Sequence, residues 1–133
     1  MMPNRTKFRK VCKGRIGRLE TRSIDLRFGS YGLQVLERSR ISARQLEAFR
    51  RVLSRRTKRM GQVWFRVFPQ KPYTSKPLEV RMGKGKGSVD YWAADVRPGR
   101  VIVELDGIPE SVAIDALQGA RAKLPCTSRI LRS

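Results

Sequence analysis

The sequence predicts an α+β domain in which two helices pack on an antiparallel or mixed sheet, with an extended basic arm at the N-terminus. Short segments alternate between apolar and polar residues, which is typical of half-buried strands. Two longer segments space their apolar residues as amphipathic helices do. The 133 residues contain no internal repeat and no linker, and this length suits one domain. We therefore expect an arm over residues 1–22 and a single domain over residues 23–133.

The predicted arm is strongly basic and has no periodicity. Residues 3–22 carry eight basic side chains and one acid, and glycines interrupt them. We expect this segment to be disordered when free and to order on binding a partner. Fully extended it would span roughly 65–70 Å, whereas the radius of gyration of such a domain is about 14 Å. An organelle-targeting peptide is the alternative, but the serine content and amphipathicity of such peptides are missing.

Three segments in the first half of the domain predict strands. Ile24–Phe28 alternates apolar and polar residues, residues 29–32 predict a turn, and Leu33–Leu36 predicts the returning partner strand. Val63–Phe68 alternates in the same way.

A helix is predicted between these strands. Ser42 is its expected N-cap, and Gln45 three residues later completes a capping box. We expect the helix to run to about Arg59, before Gly61. Its apolar stripe consists of Leu46, Phe49 and Leu53.

In the second half of the domain, prolines and a turn determine which segments are predicted as strands. Pro69, Pro72 and Pro77 should keep their stretch out of regular pairing, and Leu78–Met82 predicts a short strand. Val89–Val96 and Val101–Leu105 flank the residues RPGR, where Pro followed by Gly suits a type II turn, so we expect a hairpin.

A second helix is predicted to begin at Pro109, as its first residue, and to run to about Lys123. Pro125 follows and would end it. Its packing stripe consists of Ala113, Ala116, Leu117 and Ala120.

The charge indicates a polyanionic partner. Thirty basic residues against eleven acidic ones give a net charge of +19, and the whole excess lies in residues 1–89. Most of the basic residues are arginines, whose planar guanidinium can hold a phosphate through two hydrogen bonds. The alternatives are a solvated basic face and a membrane surface. The membrane surface is the weaker alternative, because the charge is not confined to one amphipathic helix with a bulky apolar face. Six of the eleven acids lie in residues 90–133, and we expect them to mark the face turned away from nucleic acid.

Several classes of protein are excluded by what the sequence lacks. Histidine is absent, which removes the commonest general base and metal ligand. Cys12 and Cys126 are far apart in sequence, so we expect two reduced thiols rather than a disulfide or a zinc site. No apolar run could span a bilayer, and no secretory signal is present. We therefore expect no enzyme, no metal, no cofactor and no small-molecule substrate.

The glycine-lysine segment at residues 83–87 invites comparison with nucleotide-binding loops. It lacks the spacing of a P-loop, and Ser88 stands where a dinucleotide fingerprint requires glycine. A flexible backbone with two ammonium groups favours contact with polynucleotide phosphates; the alternatives are a mobile surface loop and mononucleotide binding.

Aromatic residues could stack on bases. We expect Trp64, Phe68, Tyr91 and Trp92 to lie mostly in the core and Tyr73 to be the exposed candidate.

Strings along nearly the whole chain resemble the bacterial and organellar large-subunit ribosomal protein sixteen family. They are NRTKFRKVCKGRIGR at 4–18, FGSYGL at 28–33, SARQLEA at 42–48, WFRVFPQKP at 64–72, KPLEVRMGKGKGSVDYW at 76–92, PGR at 98–100, ELDGIPE at 104–110 and AKLP at 122–125. The resemblance implies a structural constituent of the large ribosomal subunit, with rRNA, tRNA and neighbouring ribosomal proteins as partners.

The resemblance also implies roles for particular residues. The arm contacts to rRNA would be Arg5, Lys7, Arg9, Lys10, Lys13 and Arg15, and the helix contacts would be Arg44, Arg51, Arg55 and Arg59. The loop nearest tRNA, close to the A and P sites and the peptidyl-transferase centre, would be Arg81, Met82, Gly83, Lys84, Gly85 and Lys86.

The compartment is a separate prediction. Residues 17–24 and the last helix match the family pattern loosely, which favours a mitochondrial ribosome over a bacterial or plastid one. The match begins at residue 4, so we expect no long presequence. A free-standing nucleic-acid-binding protein or RNA chaperone remains the alternative function.

Overall fold

A computed structural model describes residues 1–133 and has the predicted α+β fold, with two helices and seven strands. The elements are β1 Tyr31–Val35, β2 Ser39–Ser42, α1 Ala43–Arg56, β3 Gln62–Phe65, β4 Lys71–Ser75, β5 Ser88–Val96, β6 Val101–Asp106, α2 Glu110–Arg121 and β7 Ser128–Arg132. They form two antiparallel sheets rather than one. The four-stranded sheet has the order β3-β6-β1-β7, and the three-stranded sheet has the order β2-β5-β4.

The predicted hairpin between β5 and β6 is wrong. The chain turns at Pro98 and Gly99, but β5 continues into the three-stranded sheet and β6 into the other. The turn residues set the reversal of the chain, and long-range packing sets which strands pair.

The hairpin that does form joins β4 to β5, with residues 76–87 as its connection. β4 contains Pro72, opposite Trp92, where we expected irregular structure. Proline is tolerated there because β4 is an edge strand, so its missing N–H costs no ladder hydrogen bond. Leu78–Met82, predicted as a strand, lies in the irregular connection.

The predicted strand Ile24–Phe28 does not form. The backbone N–H groups of Arg27, Phe28 and Gly29 all donate to Oε2 of Glu104, at 2.9, 2.6 and 3.0 Å. These groups are therefore not available for a strand ladder. Leu33 and its neighbours in β1 pair instead with β6 and β7.

The start of α1 follows the sequence prediction. The backbone N–H of Gln45 donates to Oγ of Ser42 at 3.2 Å, and the N–H of Ser42 donates to Oε1 of Gln45 at 2.8 Å, which completes the capping box.

Other helix ends differ slightly from the prediction. α1 ends at Arg56 rather than Arg59, and Lys58 and Arg59 adopt left-handed φ values of 51° and 63°. Pro109 is the N-cap of α2 rather than its first residue, and α2 ends at Arg121.

Both predicted helical stripes are buried. One core cluster joins α1 and α2 to the four-stranded sheet and includes Phe49, Leu53, Val103 and Leu117. A second cluster surrounds Ile41, Leu46, Val96 and Ile102, where the two sheets meet. Neither helix is long and apolar enough to cross a membrane. Cys12 is exposed, Cys126 is buried, and both are free thiols.

Candidate nucleic-acid interface

Residues 1–22 contain no helix or strand and lie along the body of the protein. Met1 packs against the second core cluster. Nζ of Lys71 donates to the carbonyl of Lys13. At the far end the N–H of Glu20 donates to the carbonyl of Pro98 at 3.0 Å, and its carboxylate pairs with Arg100 at 2.9 Å. The segment is thus attached at its start, middle and end, while its ordering on a partner remains a prediction.

The basic side chains of this segment keep their charge uncompensated. All six predicted arm residues (Arg5, Lys7, Arg9, Lys10, Lys13 and Arg15) are exposed. None of the eight salt bridges of the protein involves a basic residue before position 40. A surface of this kind attracts a polyanion.

The predicted loop over Arg81–Lys86 is fully exposed within the β4–β5 connection. Met82 is 97% exposed. Gly83 and Gly85 have φ values of 91° and 96°, which an L side chain rarely adopts, although the space around both is open. The glycines therefore serve the backbone conformation of the loop and not close packing.

The structure brings the loop and the arm together. Nζ of Lys10 donates to the carbonyl of Lys86 at 3.0 Å, and Nζ of Lys86 donates to the carbonyl of Val11 at 2.5 Å. Nζ of Lys76 donates to the carbonyl of Gly83. Backbone carbonyls thus hold together lysines whose charges would otherwise repel one another. As a result, the predicted arm site and the predicted loop site form one cationic surface.

The predicted arginines of α1 lie on a second surface. Arg44, Arg51, Arg55 and Arg59 are all exposed, although Arg59 lies beyond the helix. A groove of about 700 Å³ between α1 and β5 is lined by Arg44 and Arg51 together with Met1 and Met2, so the arm begins beside them.

One of these arginines has an internal partner. Nε of Arg51 lies 3.2 Å from the carboxylate of Glu47, which also pairs with Arg50 at 2.7 Å. The hydrogen bond from Arg50, with a smaller one from Arg51, lowers the pKa of Glu47 to about 2. Arg51 is therefore partly neutralised, whereas Arg44, Arg55 and Arg59 form no salt bridge.

The acids of residues 90–133 do not all lie at the surface, and that they mark the face turned away from nucleic acid stays a prediction. Glu104 is fully buried and pairs with Arg66 at 2.6 Å. Asp95 bonds to Lys71 at 2.8 Å and to the hydroxyl of Tyr73 at 2.5 Å. These carboxylates neutralise cations of the body, which composition alone does not reveal. No group of three His, Cys, Asp or Glu side chains is positioned to hold a metal ion.

The aromatic residues also differ from the prediction. Tyr73 is buried, with 2% exposure, and burial together with Asp95 raises the pKa of its hydroxyl. Phe68 and Tyr91, expected in the core, are 48% and 37% exposed. Phe28, which the sequence did not single out, is 57% exposed. The only sequence feature that could have indicated this exposure was its position between Arg27 and Gly29.

Comparison with known proteins gives the family. The family model described as ribosomal protein L16p/L10e matches residues 3–131. The large ribosomal subunit protein uL16 of Bartonella bacilliformis is 60% identical over 132 residues, covering 99% of this chain and 96% of that protein. The protein of the same name from Bartonella henselae is 58% identical with the same coverage. Both organisms are bacteria, so the mitochondrial preference receives no support. With a match of this extent, the chain belongs to the ribosomal protein L16p/L10e family.

Proposed function

We propose that this protein is a structural constituent of the large ribosomal subunit that binds large-subunit rRNA and catalyses no reaction itself. The observation that carries the proposal is the division of charge. Salt bridges engage cations between Arg40 and Arg132, whereas the arm and the glycine-lysine loop have exposed cations without a carboxylate partner. Release of counterions from rRNA phosphates would supply affinity, and the shape of the folded RNA would supply specificity.

The loop over Arg81–Lys86 has a separate role in this proposal. The resemblance to the family implies that it would lie beside tRNA near the A and P sites. Its exposure at the end of a hairpin, whose strands are fixed in the three-stranded sheet, is compatible with such a contact. The family membership and the bacterial relatives support a bacterial ribosome as the particle concerned.

Sedimentation tests the proposal against a free-standing RNA chaperone. After centrifugation of a cell extract in moderate salt, we expect one copy of the protein per large subunit and none on other RNA. A distribution in proportion to all nucleic acid would refute the proposal and favour the chaperone.

A further inference from the structure

Phe28, which is exposed, and Trp64, which is half-buried, form an aromatic pair on the face of the four-stranded sheet that carries Glu104. Their ring centroids are 6.1 Å apart and their planes differ by 25°. The guanidinium of Arg66 lies 5.9 Å from the centroid of Phe28, and Arg66 is itself almost buried. Phe28 therefore rests on Trp64 and Arg66 and presents the remainder of its ring to solvent.

The segment that carries Phe28 is held rigidly. Glu104 accepts three successive N–H groups from it, and Nη1 of Arg66 bonds to both Glu104 and the carbonyl of Asp25. A Cβ on Gly29 would lie 2.4 Å from the carbonyl oxygen of Leu105, so the segment is also tightly packed on β6. A ring fixed in this way loses little entropy on binding a flat partner.

We propose that the Phe28–Trp64 pair is a stacking site for an unpaired nucleobase of RNA. This inference rests on the proposed function. Every base offers a π-face to an aromatic ring, and RNA-binding proteins commonly stack unpaired bases in this way.

The surroundings favour a base over a protein partner. Arg27 is exposed beside Phe28 and forms no salt bridge, and it would lie near the phosphate of a stacked nucleotide. Asp25 is the one carboxylate of the segment 24–29, so little negative charge in this segment would oppose a phosphate. A stable protein interface buries about 800 Å² on each side, far more than a single ring provides.

Trp64 fluorescence provides a direct test. In the full chain carrying Trp92→Phe, the emission comes from Trp64 alone. We expect a short oligoadenylate to quench it and inorganic polyphosphate of matched charge to leave it unchanged. Phe28→Leu keeps an apolar side chain without the ring and should weaken oligoadenylate binding roughly 5- to 150-fold. Phe28→Tyr keeps an aromatic ring, adds no second tryptophan and should bind nearly as well as the parent. Tyr91→Leu, at an exposed aromatic of the other sheet, is the matched control and should leave the quenching intact.

Three results would overturn the inference. One is equal quenching by polyphosphate and oligoadenylate, and a second is unchanged oligoadenylate affinity in Phe28→Leu. If oligoadenylate still binds with strong salt dependence while Trp64 does not respond, the stacking site is refuted and RNA binding by the arm stands. Loss of binding by the parent protein itself would instead refute the proposed function.

Discussion

At the scale of single residues, Glu104 has the largest structural role among the acids. Burial alone would raise the pKa of its carboxyl, but the N–H groups of Phe28, Arg27 and Gly29 and the guanidinium of Arg66 outweigh burial and lower it below 4.5. The ionised form is therefore the one that the fold stabilises. Because Arg66 also contacts Phe28, one carboxylate organises both the segment crossing the sheet and the aromatic pair on it.

We expect the pH dependence of the free energy of unfolding to reflect the ionisation of Glu104. A carboxyl with a lower pKa in the folded than in the unfolded state contributes stability above the unfolded value, near 4.5, and loses it as the pH falls through the folded value. Denaturant unfolding of the full chain should show this loss, and Glu104→Gln should remove part of it.

The same substitution should lower the free energy of unfolding at neutral pH by about 3–5 kcal/mol, because it leaves Arg66 without its buried partner. Glu79→Gln, at an exposed carboxyl without a salt bridge, is the control and should leave stability unchanged. A neutral-pH effect of Glu104→Gln no larger than that of the control would contradict the role assigned to Glu104.

At the scale of elements, the hairpin connection between β4 and β5 contains two lysines with different tasks. Lys84 is exposed and contacts no other side chain or carbonyl through a hydrogen bond, whereas Lys86 is bonded to the arm in both directions. Lys86 therefore attaches the arm, whereas in the proposed function Lys84 would contact the ligand.

We expect Lys84→Ala to weaken A-site tRNA binding by about two- to fivefold, the size of one exposed ion pair, without a defect in subunit assembly. Lys86→Ala should also loosen the middle of the arm, because it removes the hydrogen bond to the carbonyl of Val11. Faster tryptic cleavage within residues 5–18 of the free protein would report this loosening. Ribosome profiles with failed assembly and normal tRNA binding in Lys84→Ala would contradict this division.

At the scale of the whole molecule, the charge is sorted by position. The acids of the body are largely used to neutralise its own cations, and the excess remains on the arm, the loop and the outer face of α1. Such a molecule combines a conventional core with a surface whose like charges repel one another and which a polyanion would stabilise.

We expect salt to weaken rRNA binding steeply. If about ten basic side chains reach phosphates, log K against log salt should have a slope of roughly −7 to −9. Replacing the six predicted arm residues by glutamine should reduce the slope by roughly 4 to 5. Arg50→Gln, at a cation already paired with Glu47, is the control and should change it by less than about 1. A parent slope shallower than about −3 would count against phosphate contact as the source of affinity.

Features that depend on neighbouring residues could be predicted from the sequence. Ser42 and Gln45 are three positions apart, so the capping box that begins α1 could be predicted from local spacing. The helical stripes were equally local, since an amphipathic period is contained in one element. The exposure of the glycine-lysine loop followed from its composition.

Features that depend on residues far apart in sequence could not be predicted, because the contacts that produce them form only in the folded chain. Glu104 is about 75 positions from the N–H groups that it binds, so no local pattern could show that Ile24–Phe28 leaves the sheet. The edge position that allows Pro72 into β4 exists only once β5 has paired on both sides. The exposure of Phe28 and the burial of Tyr73 could not be predicted either. Phe28 packs on Trp64 and Tyr73 bonds to Asp95, and only folding brings these partners into contact.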